Sequence, residues 1–292
     1  MAEMQNIQWF PGHMAKTRRK ITESLSLVDA VVEIVDSRIP VSSRNPELAG
    51  IINKKPLLIV LNKSDLADME VNKAWCNFYE KQGIPAIIVD AKTGRGIDLF
   101  KTKIKLLLKD KLEQYKAKGI IGKKLRIMIV GIPNVGKSSF INKICKTKRA
   151  KVEDRPGVTR GYQLYTVDEQ LELLDTPGVL WPKFEDQRVG EHLAFCGAIK
   201  DDVMDIELLA MRLAEFLANN YGNLLSARYK VNNFDVDDYD LLCSIGKARG
   251  MVIRGGEIDT ERAASMLLDE FRGGIIGKIS VEHPYKTTEE GC

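Results

Sequence analysis

Residues 125–138 read Leu-Arg-Ile-Met-Ile-Val-Gly-Ile-Pro-Asn-Val-Gly-Lys-Ser. Six residues, five of them apolar, run straight into G-x-x-x-x-G-K-S, and the residues that follow have a helical pattern. A glycine-bearing loop between a buried strand and a helix is the context in which this spacing binds phosphate. The glycines let backbone N–H groups close around phosphate oxygens, and the helix N-terminus favours their negative charge. In this reading Asn134, Val135, Gly136, Lys137, Ser138 and Ser139 form the phosphate-binding run. Lys137 reaches the outer phosphates, and the Ser138 hydroxyl is placed to ligate magnesium.

Downstream, Leu171-Glu172-Leu173-Leu174 reads as a strand that ends in Asp175-Thr176-Pro177-Gly178. An acidic residue at a neighbouring strand end suits a magnesium site, and Gly178 can offer its backbone N–H to the last phosphate. Between these boxes, Pro156-Gly157-Val158-Thr159-Arg160 supplies Thr159 as the threonine that closes on the metal. The position after D-T-P-G, Val179, has no hydrogen-bonding side chain and so cannot orient an attacking water.

Upstream, the apolar run 57–61 is followed by Asn62-Lys63-Ser64-Asp65. A carboxylate at Asp65 can accept from both the N1–H and the exocyclic amine of guanine. Adenine presents no such donor pair, so this position selects GTP and GDP over ATP. The Lys63 stem can lie along the base. A second apolar run, 84–89, delivers Asp90-Ala91-Lys92, where the Ala91 N–H can meet the guanine carbonyl.

The boxes together resemble those of translation-factor-type GTPases, but the order differs: N-K-S-D at 62–65 and D-A-K at 90–92 precede the phosphate loop at 131–138. That is the arrangement of the circularly permuted GTPases. The opening W-F-P-G-H-M-A-K, the D-S-R-I-P at 36–40 and a helical tail are similar to the YlqF/RbgA (ribosome biogenesis GTPase A) family. The resemblance implies a GTP-hydrolysing assembly factor of the large ribosomal subunit. Its turnover would be slow alone and stimulated by ribosomal particles, and its helical domain would contact rRNA. The alternative is a nucleotide-gated RNA-binding module with negligible turnover of its own. In such permuted GTPases an asparagine at the Asn134 position commonly accompanies a potassium ion; the other reading is that Asn134 braces the loop. With Val179 where Ras-like GTPases carry the glutamine that orients the attacking water, His13 is the candidate for that role, or else an anchor of the W-F-P-G-H-M turn.

The expected fold is α/β: a P-loop GTPase with a mostly parallel sheet in circularly permuted order over 1–183, followed by a smaller all-α domain over 184–292. Strands are expected at 30–35, 57–61, 84–89, 125–130, 162–167 and 170–174, with one long helix over 97–118. A helix is expected over 13–28. Beyond residue 183 helical periodicity spans 188–199, 205–220, 235–247 and 260–272, with Asn219-Asn220 and Gly222 read as breakers. Every nucleotide contact named lies before residue 180, so removing 184–292 is expected to leave nucleotide affinity nearly intact.

Net charge is +4, but it is unevenly spread. Residues 1–184 carry 32 Lys and Arg against 20 Asp and Glu, while the remainder carries 12 against 20. The basic half suits a polyanion such as rRNA, or is a solubilising lysine surface. In the acidic half an RNA-facing surface would have to be local, at Lys247, Arg249 and Arg254. No apolar run approaches a membrane span, and five scattered cysteines speak against a disulfide framework or a zinc module. A cytoplasmic protein, monomeric off the ribosome, is the expectation.

Overall fold

The computed structural model describes residues 22–52, 55–120, 122–145, 163–176 and 186–284. These divide into two compact units, one holding 22–176 together with 280–284 and the other holding 186–279.

The first unit is built on β1 (Ala30–Asp36), whose seven residues are all buried. A strand so apolar on both faces belongs in the middle of a covered sheet, and β1 takes that place. β2 (Leu57–Asn62) and β3 (Ala86–Ile88) extend the sheet on one side. β4 (Leu125–Val130), β6 (Leu171–Asp175) and β5 (Gln163–Thr166) extend it on the other, giving the order β3-β2-β1-β4-β6-β5. All pairings are parallel except β5 with β6. The register Ala30↔Ile127 to Glu33↔Val130 sets β1, the first strand among the described residues, directly against the strand that feeds the phosphate loop.

Helices α1 (Pro46–Ile52), α2 (Met69–Lys81), α3 (Ile97–Leu107), α4 (Lys109–Ala117) and α5 (Lys137–Cys145) accompany the sheet. Val31, Met128, Val130 and Leu174 pack with Leu25, Leu48 and Ile52. Val35, Ile59, Leu61 and Ala86 pack with Trp75 and Tyr79 of α2. Strand alternation puts Val32 and Ile34 on the face opposite Val31 and Val35. The α3 and α5 rings Phe100 and Phe140, both fully buried, meet edge to face at 5.3 Å.

Five of the six strands sit within a residue of expectation at both ends. The expected 84–89 shortens to 86–88, and the expected helix 97–118 breaks at Leu108 (φ −107°, ψ 19°). Of the expected helix 13–28, only the turn at 22–25 falls within the described helical residues.

The second unit comprises α6 (Gln187–Phe195), α7 (Ile206–Tyr229), α8 (Asp238–Ala248) and α9 (Thr260–Arg272). Each begins with an aspartate N-cap: Asp186, Asp205, Asp237 and Asp259 accept from backbone N–H groups of the first turn. Such caps contribute about 1 kcal/mol apiece. They are four of the 20 Asp and Glu in this half. Helix α7 does not stop at Asn219-Asn220 but continues with a kink at Tyr221 (φ −140°). Gly222 is there for close approach, since a Cβ on it would stand 2.9 Å from the Phe234 ring. Glu270, largely buried on α9, is bound by Arg228 and Arg249 and by the Tyr229 hydroxyl. The Arg228 hydrogen bond leads in pulling its carboxyl down to about 2 against the opposing effect of burial.

The expected helical domain 184–292 does not keep its last segment. Residues 280–284 group with the first unit. The reason is polar. Val281 and Glu282 donate their N–H groups to the Arg38 carbonyl (2.9 and 3.1 Å). The Glu282 carboxylate accepts from the N–H groups of Val41 (2.6 Å) and Ser42 (3.0 Å) and from the Ser42 hydroxyl. Trp75 donates its indole N–H to the Glu282 carbonyl (3.2 Å), and the Ser280 hydroxyl accepts from the Asp68 N–H (3.1 Å).

Candidate nucleotide site

Strands β1, β2, β4 and β6 run parallel, so the loops after each gather at one end of the sheet. These loops carry the boxes read from the sequence. Gly131 (φ +155°) leaves β4 so close to β1 that a Cβ would lie 2.6 Å from the Ile34 carbonyl oxygen. Gly136 (φ +93°) passes Asn62, where a Cβ would lie 2.4 Å from Nδ2. Both glycines are required by backbone conformation and by contact. Lys137 opens α5 and folds back to donate to the carbonyls of Gly131 (3.1 Å) and Ile132 (3.5 Å). Burial depresses its ammonium, and the charge of Asp175 opposes that shift. Ser138 and Ser139 are exposed in the first turn of α5, while Val135 is buried.

Asn62 joins the two halves of the site. Its Nδ2 donates to the Val135 carbonyl in the phosphate loop (2.6 Å), and its Oδ1 accepts from the Ala91 N–H (3.0 Å). The side chain is 2% exposed, so each bond is shielded from water. Its role is therefore to clamp loops. The Ala91 N–H expected for the guanine carbonyl is already engaged by Asn62, and a bound base would share that donor. Asp90 likewise spends its carboxylate on the turn, accepting from the N–H groups of Lys92 (2.9 Å) and Thr93 (3.1 Å) and from the Thr93 hydroxyl. Lys92 is exposed, and Asp65 is half-buried just beyond the clamp.

Lys63 has a left-handed backbone (φ 59°) and its ammonium lies 3.0 Å from Asp36 Oδ2. Asp36, 2% exposed, also receives Arg38 at Nε (2.9 Å) and Nη2 (2.8 Å). Burial would raise its carboxyl, yet Arg38 and Lys63 together hold it well below the usual carboxylate range. This anchor fixes the Lys63 stem, and sequence reading missed it. D-S-R-I-P served there only as a family mark. The partnership becomes visible once the register pairs Asp36 with Asn62.

Asp175 ends β6 opposite Ile129 of β4. Thr176 donates its hydroxyl to the Ile129 carbonyl (2.8 Å), which pins the start of D-T-P-G to the phosphate-loop strand. Asp175 Oδ1 is buried with no hydrogen-bond partner among the described residues. Burial raises its carboxyl, opposed chiefly by Lys137. A desolvated carboxylate oxygen beside a phosphate loop, with the Ser138 hydroxyl in that loop, is a donor set of the hard kind that suits a divalent cation. Asn134 is also left-handed (φ 61°), a conformation asparagine tolerates well, so loop geometry alone accounts for its residue type. His13, Thr159, Gly178 and Val179 lie outside the described residues.

In the second unit, Arg249 is committed to Glu270 (2.8 Å) and lies over the Tyr229 ring at 5.5 Å. The expectation that it faces RNA therefore meets a structural role, because leaving would strip a buried carboxylate of a partner. Lys247 and Arg254 are exposed.

A family model described as 50S ribosome-binding GTPase matches residues 126–228. The match begins in β4 and takes in the phosphate loop and D-T-P-G, which leaves N-K-S-D ahead of it. The chain is 47% identical over 284 residues to ribosome biogenesis GTPase A of Bacillus cereus, covering 97% of this chain and 96% of the relative. It is 30% identical to the Thermotoga maritima protein of the same name, with 97% and 96% covered. It is 32% identical to the mouse mitochondrial ribosome-associated GTPase 1, with 94% and 90% covered. The GDP-bound structure of Thermotoga maritima YlqF superposes with a TM-score of 0.65 at 29% identity, covering 91% of this chain and all of that one. The GNP-bound form gives 0.63 at 27% identity, with 92% and 98% covered. Boxes, strand order and full-length similarity agree: the chain is a GTPase and belongs to the ribosome biogenesis GTPase A family.

Proposed function

We propose that this GTPase acts in the cytoplasm as an assembly factor of the large ribosomal subunit, binding rRNA or pre-ribosomal particles according to its bound nucleotide. The observation that carries the nucleotide part is the Asn62 clamp between the Val135 carbonyl and the Ala91 N–H. It makes the guanine-reading and phosphate-binding loops one rigid unit although they are far apart in the chain. The partner is inferred from the names of relatives that match over nearly the full length.

Within the site, Asp65 reads the base and Lys63, held by Asp36, lines it. Lys137 exchanges its two carbonyl contacts for phosphate oxygens, a change favoured because a half-buried ammonium gains charged partners. Ser138, Thr159 and Asp175 would hold magnesium, and the unpartnered Oδ1 of Asp175 fits that role. When bound, the ion supplies positive charge beside the phosphates. Asn134 would hold a potassium ion beside the phosphates. His13 orients the attacking water that Val179 cannot. Replacing His13 by alanine should then lower single-turnover hydrolysis while leaving GTP affinity in place; the opposite pattern makes it an anchor.

D-T-P-G leads by sequence into the helical unit, so movement of that segment on loss of the last phosphate is tied covalently to α6 onward. The protein is taken to be monomeric off the ribosome. Co-sedimentation with purified large subunits and their precursors tests the proposal. Binding should be tighter with a non-hydrolysable GTP analogue than with GDP, and should weaken with added salt. Equal binding in the two nucleotide states would overturn it. Hydrolysis unaffected by particles would favour the nucleotide-gated binding module.

A further inference from the structure

The charge excess of the first half is concentrated. Residues 97–126 carry ten Lys and Arg against three Asp and Glu, seven of an excess of twelve. This stretch is α3, α4 and the lead into β4, and it ends where β4 begins. A cleft of about 530 Å³ opens there, lined among others by Lys55, Lys111, Lys123, Lys124 and Arg126. Its floor is the start of β4 and β6 and the segment before β1, the opposite end of the sheet from the nucleotide loops. Six strand residues separate the ends of β4, a distance of about 20 Å.

Two acids serve five bases in this cleft. Asp29 takes Lys111 (2.5 Å) and the Arg126 N–H (2.7 Å). Glu172, 2% exposed, takes Lys124 and Arg126 (both 3.3 Å). Lys55 donates to the Val28 carbonyl (2.7 Å), and Lys123 lies 4.7 Å over the Tyr115 ring. Arg126 Nε is buried with no hydrogen-bond partner among the described residues. The acids position the bases without neutralising them, and one ring stands among the ammonium groups.

We infer that this cleft is a docking site for the phosphodiester backbone of RNA, with Tyr115 offering a face on which a base can stack. The inference rests on the ribosomal reading only for the identity of the polyanion. Surplus positive charge suits any polyanion; the ring beside it favours RNA over an acidic peptide, because aromatic side chains stack with bases. The distance from Lys137 makes this a surface separable from catalysis.

The test uses the full chain and a fluorescein-labelled single-stranded RNA about 20 nucleotides long, with polyglutamate as competitor. Lys123→Glu changes an exposed side chain, so folding is preserved. It should weaken RNA binding at least about tenfold and reduce the salt slope. Tyr115→Ala should weaken it at least about fivefold. Affinity for fluorescent GDP should be unchanged in both. RNA affinity equal to wild type in Lys123→Glu, or polyglutamate competing as well as unlabelled RNA, would overturn the inference. Co-sedimentation separates the two readings. Wild type that fails to sediment with subunits, while RNA binding still depends on Lys123, sinks the ribosomal reading and keeps the cleft. Lys123→Glu protein that sediments as tightly as wild type sinks the cleft.

Discussion

Replacing Glu282 by alanine should destabilise the nucleotide-binding unit although the residue lies beyond the helical unit in sequence. Its carboxylate accepts from the Val41 N–H, the Ser42 N–H and the Ser42 hydroxyl. A hydrogen bond to a charged group contributes roughly 1.5–3 kcal/mol net. Val41 is 40% exposed, so its freed N–H can be hydrated, whereas Ser42 is 3% exposed, so water replaces the bonds lost there less readily. Sharing one acceptor makes the terms less than additive. The expected loss is about 2–4 kcal/mol, a large part of a typical stability of about 5–15 kcal/mol. Urea unfolding would be followed through buried Trp75, whose indole N–H reaches the Glu282 carbonyl, with Trp9 and Trp181 replaced by phenylalanine. At a slope of about 2–3 kcal/mol/M the midpoint should fall by about 1 M. Glu282→Gln, which keeps one acceptor oxygen, should cost clearly less. A loss under about 0.5 kcal/mol, the range of ordinary surface changes, would refute the reasoning. The same contacts revise the expectation that removing 184–292 spares nucleotide binding. That truncation also removes Ser280, the partner of the Asp68 N–H that begins α2 three residues after Asp65.

Gly136→Ala places a Cβ 2.4 Å from Asn62 Nδ2 at a φ of +93°; it should weaken GTP binding at least about tenfold, measured by titration with a fluorescent nucleotide. Glu270 has a folded pKa depressed to about 2. Its stabilisation is therefore present above the unfolded carboxyl value and lost as pH falls from about 4.3 towards 2. Melting of the α-helical signal from pH 6 to 3 should show a drop that Glu270→Gln flattens. An unchanged pH dependence in that variant would remove the Arg228–Glu270–Arg249 cluster from the account.

Much of the site was legible because phosphate-loop chemistry is local: Gly131, Gly136, Lys137 and Ser138 sit within eight residues whose conformation the sequence dictates. The strand pattern was equally local. Features set by long-range packing were hidden. Asn62 stood in the sequence only as a member of the guanine-reading box, and its bonds to Val135 and Ala91 emerge with the fold. Asp36 becomes the anchor of Lys63 only through strand pairing. Glu282 gave no signal, since a lone glutamate after a helical run is ordinarily a solvated charge. Gly222 misled for a different reason. Read as a breaker, it lies inside α7 because Phe234 needs the space a side chain would fill.

Guanine recognition by a box that precedes the phosphate loop is the central claim, and nucleotide affinities of Asp65→Asn test it most directly. Guanine presents N1–H and an amine to this position, while xanthine presents N1–H and a carbonyl. An asparagine amide loses one acceptance from guanine and gains a donation to xanthine. The account requires GTP affinity to fall at least about tenfold and XTP affinity to rise. Equal GTP affinity in the wild type and the variant would contradict the assignment of residues 62–65.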